Sequence, residues 1–464
     1  MKIRFNGAAR TVTGSQYLLT INNHLMLLEC GMYQGKRAET YARNRSFSFN
    51  IRDLEAVVLS HAHIDHSGNL PNLVKQGYHG PIFATRGTAA LADLMLRDSG
   101  HIQESDAEFV NKKRAKEGLD PIEPLYTSDD AARVTPLFCA REYHTPFSPI
   151  PGVTVEFFDA GHILGSAGMA IDIEENGRKF RLWFSGDIGR PGLPLLRDPE
   201  LPQRPDYMMM ECTYGDKPHE NPEDAYVEFR DVVARTIKRG GKVIIPAFAV
   251  GRTQELVYDI NRLVSDNELP NVPVYVDSPL AVGASQIFSR FDTYFDEETR
   301  QFVREERHPA LNFNNLHYIS KADDSKKIND LRGPAIIMSA SGMAENGRIL
   351  HHLRNNIEDP RNMILIVGWQ APYTLGRRLA DRERKVRIFG EEFIRKADVE
   401  TIGGLSAHAG QNYLMTYARA ALPTVKTLFL VHGEEDAEGA FEGLLREEGF
   451  SDIRYPDWGE EVEI

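Results

Sequence analysis

Short apolar runs, many closed by glycine or a ligand-type residue, alternate along this chain with longer stretches of helix formers. Near the N-terminus, Ser15–Ile21 and His24–Leu28 read as two strands joined by a turn at Asn22-Asn23. The second runs into Glu29-Cys30-Gly31, which places a carboxylate at a strand terminus, either to orient a ligating histidine or as a simple turn acid. A third run, Ala56-Val57-Val58-Leu59, reads as a short buried strand, and Gly68-Asn69-Leu70-Pro71 beyond it as a turn into a helix. From Thr88 to about Gly118 the chain is rich in helix formers. Its cluster of Lys112, Lys113, Arg114 and Lys116 reads as a solvated helical face rather than an RNA contact. Between Asp187 and His432 the texture changes. Apolar runs at Lys242–Pro246, Val274–Val276, Ala335–Met338 and Met363–Val367 alternate with helical segments such as Glu223–Arg239 and Thr253–Val264. Alternation at this spacing predicts a mostly parallel α/β sheet, in a domain inserted into the first one.

Composition narrows the class. A chain of 464 residues, 42% hydrophobic and 26% charged, belongs with soluble globular proteins of two or three domains. No run of about 18 apolar residues is present, which argues against a membrane span. The N-terminus, Met1-Lys2-Ile3-Arg4-Phe5-Asn6-Gly7, meets polar residues before a signal-peptide core could form. Cys30, Cys139 and Cys212 stand far apart with no C-x-x-C pair, so a reducing cytosol is the expected compartment. A formal net charge of −13 leaves little long-range attraction for phosphate.

The candidate chemistry centres on Ser60-His61-Ala62-His63-Ile64-Asp65-His66-Ser67-Gly68, where histidines and an aspartate follow the apolar run Ala56–Leu59. On a continuous helix these four residues would spray around the axis, so a loop able to bend around a metal is expected. Imidazole nitrogens and a carboxylate oxygen are what zinc and similar borderline ions take as ligands. Three later strand ends carry the same residue types: Val153–Phe158 leads to Asp159-Ala160-Gly161-His162, Phe180–Phe184 to Ser185-Gly186-Asp187, and Leu428–Val431 to His432-Gly433-Glu434. Each alone has an ordinary reading as a turn acid or a satisfied histidine. Together with the first loop they provide enough ligands for two zinc ions with open positions for water. His101 and His144 read as surface or structural histidines.

These motifs resemble the metallo-β-lactamase superfamily, and within it the β-CASP nucleases, over essentially the whole chain. His61-Ala62-His63-Ile64-Asp65-His66, Gly161-His162 and Gly186-Asp187 match the superfamily's second, third and fourth motifs, with Glu29 where the first more often has Asp. Glu211-Cys212-Thr213-Tyr214-Gly215 resembles β-CASP motif A, Gly404-Leu405-Ser406-Ala407-His408 motif B, and Val431-His432-Gly433-Glu434 motif C. Pro246–Arg252, Ser339–Met343 with Gly347-Arg348, and Gly376-Arg377 also look like this family. Relatives acting on DNA tend to carry valine at the motif C histidine, so His432 points towards RNA. The resemblance implies an αββα metallo-β-lactamase sandwich, residues 1–210 and 400–464, with an inserted β-CASP domain at 211–399. It further implies two Zn2+ ions, one on His61, His63 and His162 and the other on Asp65, His66 and His432, with Asp187 bridging. The implied reaction is hydrolysis of single-stranded RNA by a di-zinc-activated hydroxide, leaving 5′-phosphate products. Asp65, His408 and Glu211 are the implied catalytic residues, with His408 as general acid and Glu211 orienting it. Ser341, Gly342, Arg252 and Arg348 are candidate phosphate contacts, against a competing reading as structural turns and ion pairs. A homodimer stays open, and so does the choice between endonuclease and 5′-exonuclease. The competing functions are a small-molecule ester or phosphodiester hydrolase on the same metal core, and a non-catalytic RNA-binding subunit. The insert argues against the first, and the filled ligand positions against the second.

Overall fold

The computed structural model describes residues 1–35, 37–270, 272–306 and 308–464. The chain divides into two compact units, one of Met1–Arg190, Asp198–Pro218 and His408–Ile464, the other of Pro191–Arg197 and His219–Ala407.

The first unit is built on two sheets. One has seven strands in the spatial order Glu461–Glu463, Lys2–Phe5, Tyr17–Ile21, His24–Leu28, Leu54–Val58, Ile82–Thr85 and Phe138–Arg141. Asn22 and Asn23, at φ 48° and 68°, make the hairpin turn that joins Tyr17–Ile21 to His24–Leu28. Asparagine tolerates this left-handed backbone, and two such residues in succession match the twist of the flanking strands. From His24–Leu28 onwards the pairing is parallel. The other sheet has six strands in the order Ile453–Arg454, Thr427–Val431, Tyr207–Glu211, Arg178–Phe184, Ala167–Glu175 and Val153–Asp159.

Alternating side chains from the facing sides of the two sheets, among them Phe5, Leu19, Val58, Phe157, Met169, Phe184, Met209 and Phe429, form one core. The strand Tyr207–Glu211 is buried at every position, so its other face needs cover as well. Met208 and Met210 on that face join Trp183, Leu428 and Leu430 in a second core with Leu414 and Tyr417 of the helix Gln411–Ala421 and Phe441 and Leu445 of the helix Glu435–Glu448. On this side, sheet on sheet followed by helices gives the expected sandwich layering.

Parallel pairing also explains how ligand-type residues far apart in sequence come together. Tyr207–Glu211 runs parallel to both Arg178–Phe184 and Thr427–Val431, so the segments that leave these three strands, with Asp187, Glu211 and His432, start from the same edge of the sheet.

The turn that carries Asp65 and His66 is clamped by the segment after His24–Leu28 and by the residues just before Tyr17–Ile21. Cys30 N donates to His66 O at 2.8 Å, Met32 N to Ile64 O at 2.9 Å, and Ser15 N to Asp65 O at 2.8 Å. Gly31 lies in this clamp, where a Cβ would overlap the Asp65 carbonyl. Gly31→Ala is therefore expected to lower stability by about 1–3 kcal/mol, as overpacking does, and to show as a lower Tm in a thermal melt.

The second unit holds a six-stranded sheet in the order Leu316–Tyr318, Val274–Val276, Ala335–Ser339, Lys242–Pro246, Met363–Ile366 and Asp398–Thr401. Every pairing in it is parallel, as the strand-helix alternation predicts. The helices Pro222–Lys238 and Arg252–Ser265 lie close to the predicted spans. Among the described residues no helix is long and apolar enough to cross a membrane. The basic cluster of Lys112, Lys113, Arg114 and Lys116 falls at the end of the helix Arg86–Lys116, with all three lysines exposed.

Candidate metal centre

The expected ligand loop is only half a loop. His61 and His63 follow the strand Leu54–Val58 in extended chain, but Ile64–Ser67 forms one helical turn that carries Asp65 and His66. Successive residues on a helix point about 100° apart, so one turn fans the carboxylate and the imidazole to different sides.

Seven residues from four strand ends meet here: His61, His63, Asp65, His66, His162, Asp187 and His432. His63 Nδ1 lies 3.1 Å from His61 Nε2 and 3.2 Å from His162 Nε2. Asp187 Oδ2 stands 3.4 Å from His61 Nε2 and 3.6 Å from His162 Nε2. Its other oxygen, Oδ1, faces the second group, 3.2 Å from His66 Nε2 and 3.6 Å from His432 Nδ1. Asp65 Oδ2 lies 3.4 Å from His432 Nε2 and 3.9 Å from His66 Nε2. One carboxylate thus reaches both groups.

These spacings fit a metal. Ligand atoms about 2.0–2.1 Å from a tetrahedral cation sit roughly 3.3–3.4 Å from one another. Burial drives the imidazoles of His61 to a pKa of about 3 and of His63 to about 4, and that of His162 well down, so all three offer lone pairs at neutral pH. Asp187 Oδ1 is buried without a hydrogen-bond partner, as a coordinating oxygen would be. Burial would raise the Asp65 and Asp187 carboxyls, but the surrounding imidazoles hold both well below the usual range. At His66, burial is outweighed by Asp187, Asp65 and Glu29, which raise the imidazole. The charge that favours a proton there would equally favour a cation.

Hydrogen bonds from behind orient the rings. Glu29 Oε2 accepts from His66 Nδ1 at 2.6 Å, and the same carboxylate accepts from the Ser60 amide and hydroxyl at 2.5 and 3.0 Å. Of the two readings of Glu29, the structure shows the orienting one. Ser60 Oγ pairs with His61 Nδ1 at 2.9 Å, and Thr213 Oγ1 with His432 Nδ1 at 3.1 Å. Sequence reasoning singled out neither hydroxyl; the signal for each was its place within a quoted motif. Glu29 and His432 adopt left-handed backbone, at φ 62° and 50°. Such conformations cost of order 1–3 kcal/mol and gather at functional sites. Glu29→Ala is expected to weaken metal binding about 10- to 100-fold, read by competition with a chelator.

His408 and Glu211 adjoin this cluster. His408 Nδ1 lies 3.1 Å from Glu211 Oε1, and its Nε2 lies 3.9 Å from Asp187 Oδ2. Glu211 is buried and also accepts from the amides of Ile188 and Thr213 at 2.6 and 3.2 Å. Burial alone would lower the His408 imidazole, but the charge and hydrogen bond of Glu211, with Asp187 and Asp65, lift it to about 9.

The other candidates belong to the second unit. Arg252 is buried against Glu255, and Arg348 Nη1 donates to Asp277 Oδ1 at 2.7 Å. Ser341 Oγ accepts from the amides of Glu345 and Asn346 at 3.2 and 3.4 Å, and the Gly342 carbonyl accepts from Gln370 Nε2 at 3.2 Å. His144 is exposed, as expected, and pairs with Glu200 at 3.2 Å.

Comparison with known proteins places these motifs in a family. Residues 9–164 match the metallo-beta-lactamase superfamily, 253–379 the Beta-Casp domain, and 394–456 the Zn-dependent metallo-hydrolase RNA specificity domain. The chain is 37% identical over 465 residues to Ribonuclease TTHA0252 of Thermus thermophilus, covering 100% of both. It is 31% identical over 444 residues to Transcription termination factor FttA of Methanocaldococcus jannaschii, covering 94% of this chain and 67% of that one. A protein of unknown function from Enterococcus faecalis, 12% identical, shares the fold with a TM-score of 0.57 over 99% of each chain. Full-length identity at this level, with all three domain matches in order, makes the chain a member of the β-CASP ribonuclease family of metallo-β-lactamase hydrolases, metal-dependent enzymes that act on RNA.

Proposed function

We propose that the protein hydrolyses phosphodiester bonds of single-stranded RNA with two zinc ions and leaves a 5′-phosphate on the downstream product. The observation that carries this reading is the Glu211–His408 pair, 3.1 Å apart, set against the His and Asp cluster through Asp187. His61, His63 and His162 would hold one ion and Asp65, His66 and His432 the other, with Asp187 serving both. Bound there, divalent cations would supply an acidified water and offset charge on the phosphoryl oxygens.

The remaining work falls to side chains. Asp65, more exposed than Asp187, would orient the attacking water. Glu211 holds His408 by Nδ1, which leaves the Nε2 proton facing the cluster. As hydroxide, the water having released a proton to solvent, bonds to phosphorus and the bond to the ribose 3′-oxygen breaks, that leaving oxygen takes the Nε2 proton, which solvent then restores to His408. In the second unit Ser341 and Gly342 are proposed phosphate contacts. At Arg252 and Arg348 a phosphate would compete with Glu255 and Asp277 for guanidinium groups already paired.

Metal analysis and cleavage of a short RNA labelled at either end test the proposal. Zinc near two equivalents and 5′-phosphate products, lost together in Asp65→Ala with His66→Ala, are expected. Unchanged cleavage in that variant, or equal cleavage of duplex RNA, would overturn it.

A further inference from the structure

Three large aromatic side chains stand out from the second unit on neighbouring loops. Tyr373 is 98% exposed, and Trp369 and Phe248 are each 52% exposed. Phe248 follows the strand Lys242–Pro246, and Trp369 and Tyr373 follow Met363–Ile366, its parallel neighbour. The loop after Ala335–Ser339, on the other side of Lys242–Pro246, ties them together. There the Phe248 ring lies against Gly342, Gln370 Nε2 donates to the Gly342 carbonyl at 3.2 Å, and Gly376 N donates to Met343 O at 3.0 Å. All three rings therefore occupy the carboxyl edge of one parallel sheet, where open α/β sheets bind ligands.

Burial usually claims rings of this size, and exposed ones gathered at one sheet edge mark an interaction surface. We infer that Trp369, Tyr373 and Phe248 form a stacking platform for unpaired bases of the RNA substrate. This rests on the single-stranded RNA reading above. RNA bases are the occupant because the family acts on RNA, and with a net charge of −13 the strand gains little from long-range attraction and must be held by short-range contacts. Stacking on aromatic faces is such a contact, and it tolerates any base sequence. Arg377 and Arg378, just beyond Tyr373, are in exposed pairs with Asp381 and Glu383. Pairs of that kind are weak, so both guanidinium groups can exchange their partners for backbone phosphate.

The test compares wild type with Trp369→Ala, Tyr373→Ala and the conservative Trp369→Phe in the metal-loaded protein. Each alanine variant is expected to raise KM for a single-stranded RNA by about tenfold, with kcat little changed. Trp369→Phe should keep most of the affinity, and hydrolysis of bis(p-nitrophenyl) phosphate, which has no base, should not change. RNA should also quench Trp369 fluorescence in a His408→Ala background, where the strand stays intact. An unchanged KM in the alanine variants, or the same rise with abasic RNA, would overturn the inference. So would a wild-type dimer that dissociates in the variants without any KM change, since the patch would then be an interface between copies. Wild type that hydrolyses the small diester but no RNA would defeat the nuclease reading instead, and the quench would still decide the platform.

Discussion

Replacing Asp187 with asparagine is expected to empty both halves of the metal cluster and to reduce RNA cleavage by at least about a thousandfold. Asp187 is the buried carboxylate whose two oxygens face different groups of imidazoles, Oδ2 towards His61 and His162 and Oδ1 towards His66 and His432. Asparagine keeps the shape but removes the charge and turns N–H donors towards a site that calls for electron pairs. Without bound cations, water returns from a pKa near 7 towards roughly 15.7, and few hydroxides remain to attack phosphorus. Asp65→Asn makes the comparison sharp, since Asp65 Oδ2 stands beside His432 and His66, at 3.4 and 3.9 Å, on one side of the cluster. Elemental analysis is expected to find about two ions in wild type, one in Asp65→Asn and fewer than one in Asp187→Asn. A folded Asp187→Asn protein with wild-type metal content would rule out the shared role.

Much of this centre was legible because ligand-type residues follow short apolar runs that parallel pairing aligns at one end. Glycine beside His162, Asp187 and His432 added to the signal. The helical turn Ile64–Ser67 was not legible, since four residues are too few to show a 3.6-residue period. Pairing partners depended on separation. Glu255 stands three residues from Arg252 on one helix, a spacing that sequence can suggest. Asp277 lies far from Arg348 in sequence and meets it only because the chain folds so. The strand order was also hidden: nothing local indicates that Glu461–Glu463 pairs with Lys2–Phe5.

His408→Ala is expected to keep its metal and lose turnover by about 10²- to 10⁴-fold, the usual contribution of a general acid. The ring approaches Asp187 at 3.9 Å and packs against the His162 ring, with centroids 4.5 Å apart, but is not among the proposed ligands, while Glu211 holds its far side at 3.1 Å. Deleting it should therefore remove a proton donor and leave the ligands in place. The sign of the pH dependence follows from the raised pKa of about 9. Below that value His408 carries the proton it must give, and above it the proton is lost, so kcat should fall on the alkaline side. Glu211→Gln removes the carboxylate charge that raises the imidazole, so the alkaline fall should move to lower pH while zinc content stays near two. An RNA with a better leaving group at the scissile bond, such as a 3′-phosphorothiolate, needs less proton donation and should restore much of the His408→Ala rate. Loss of zinc from His408→Ala, or no rescue by the thiolate, would assign the ring a structural role.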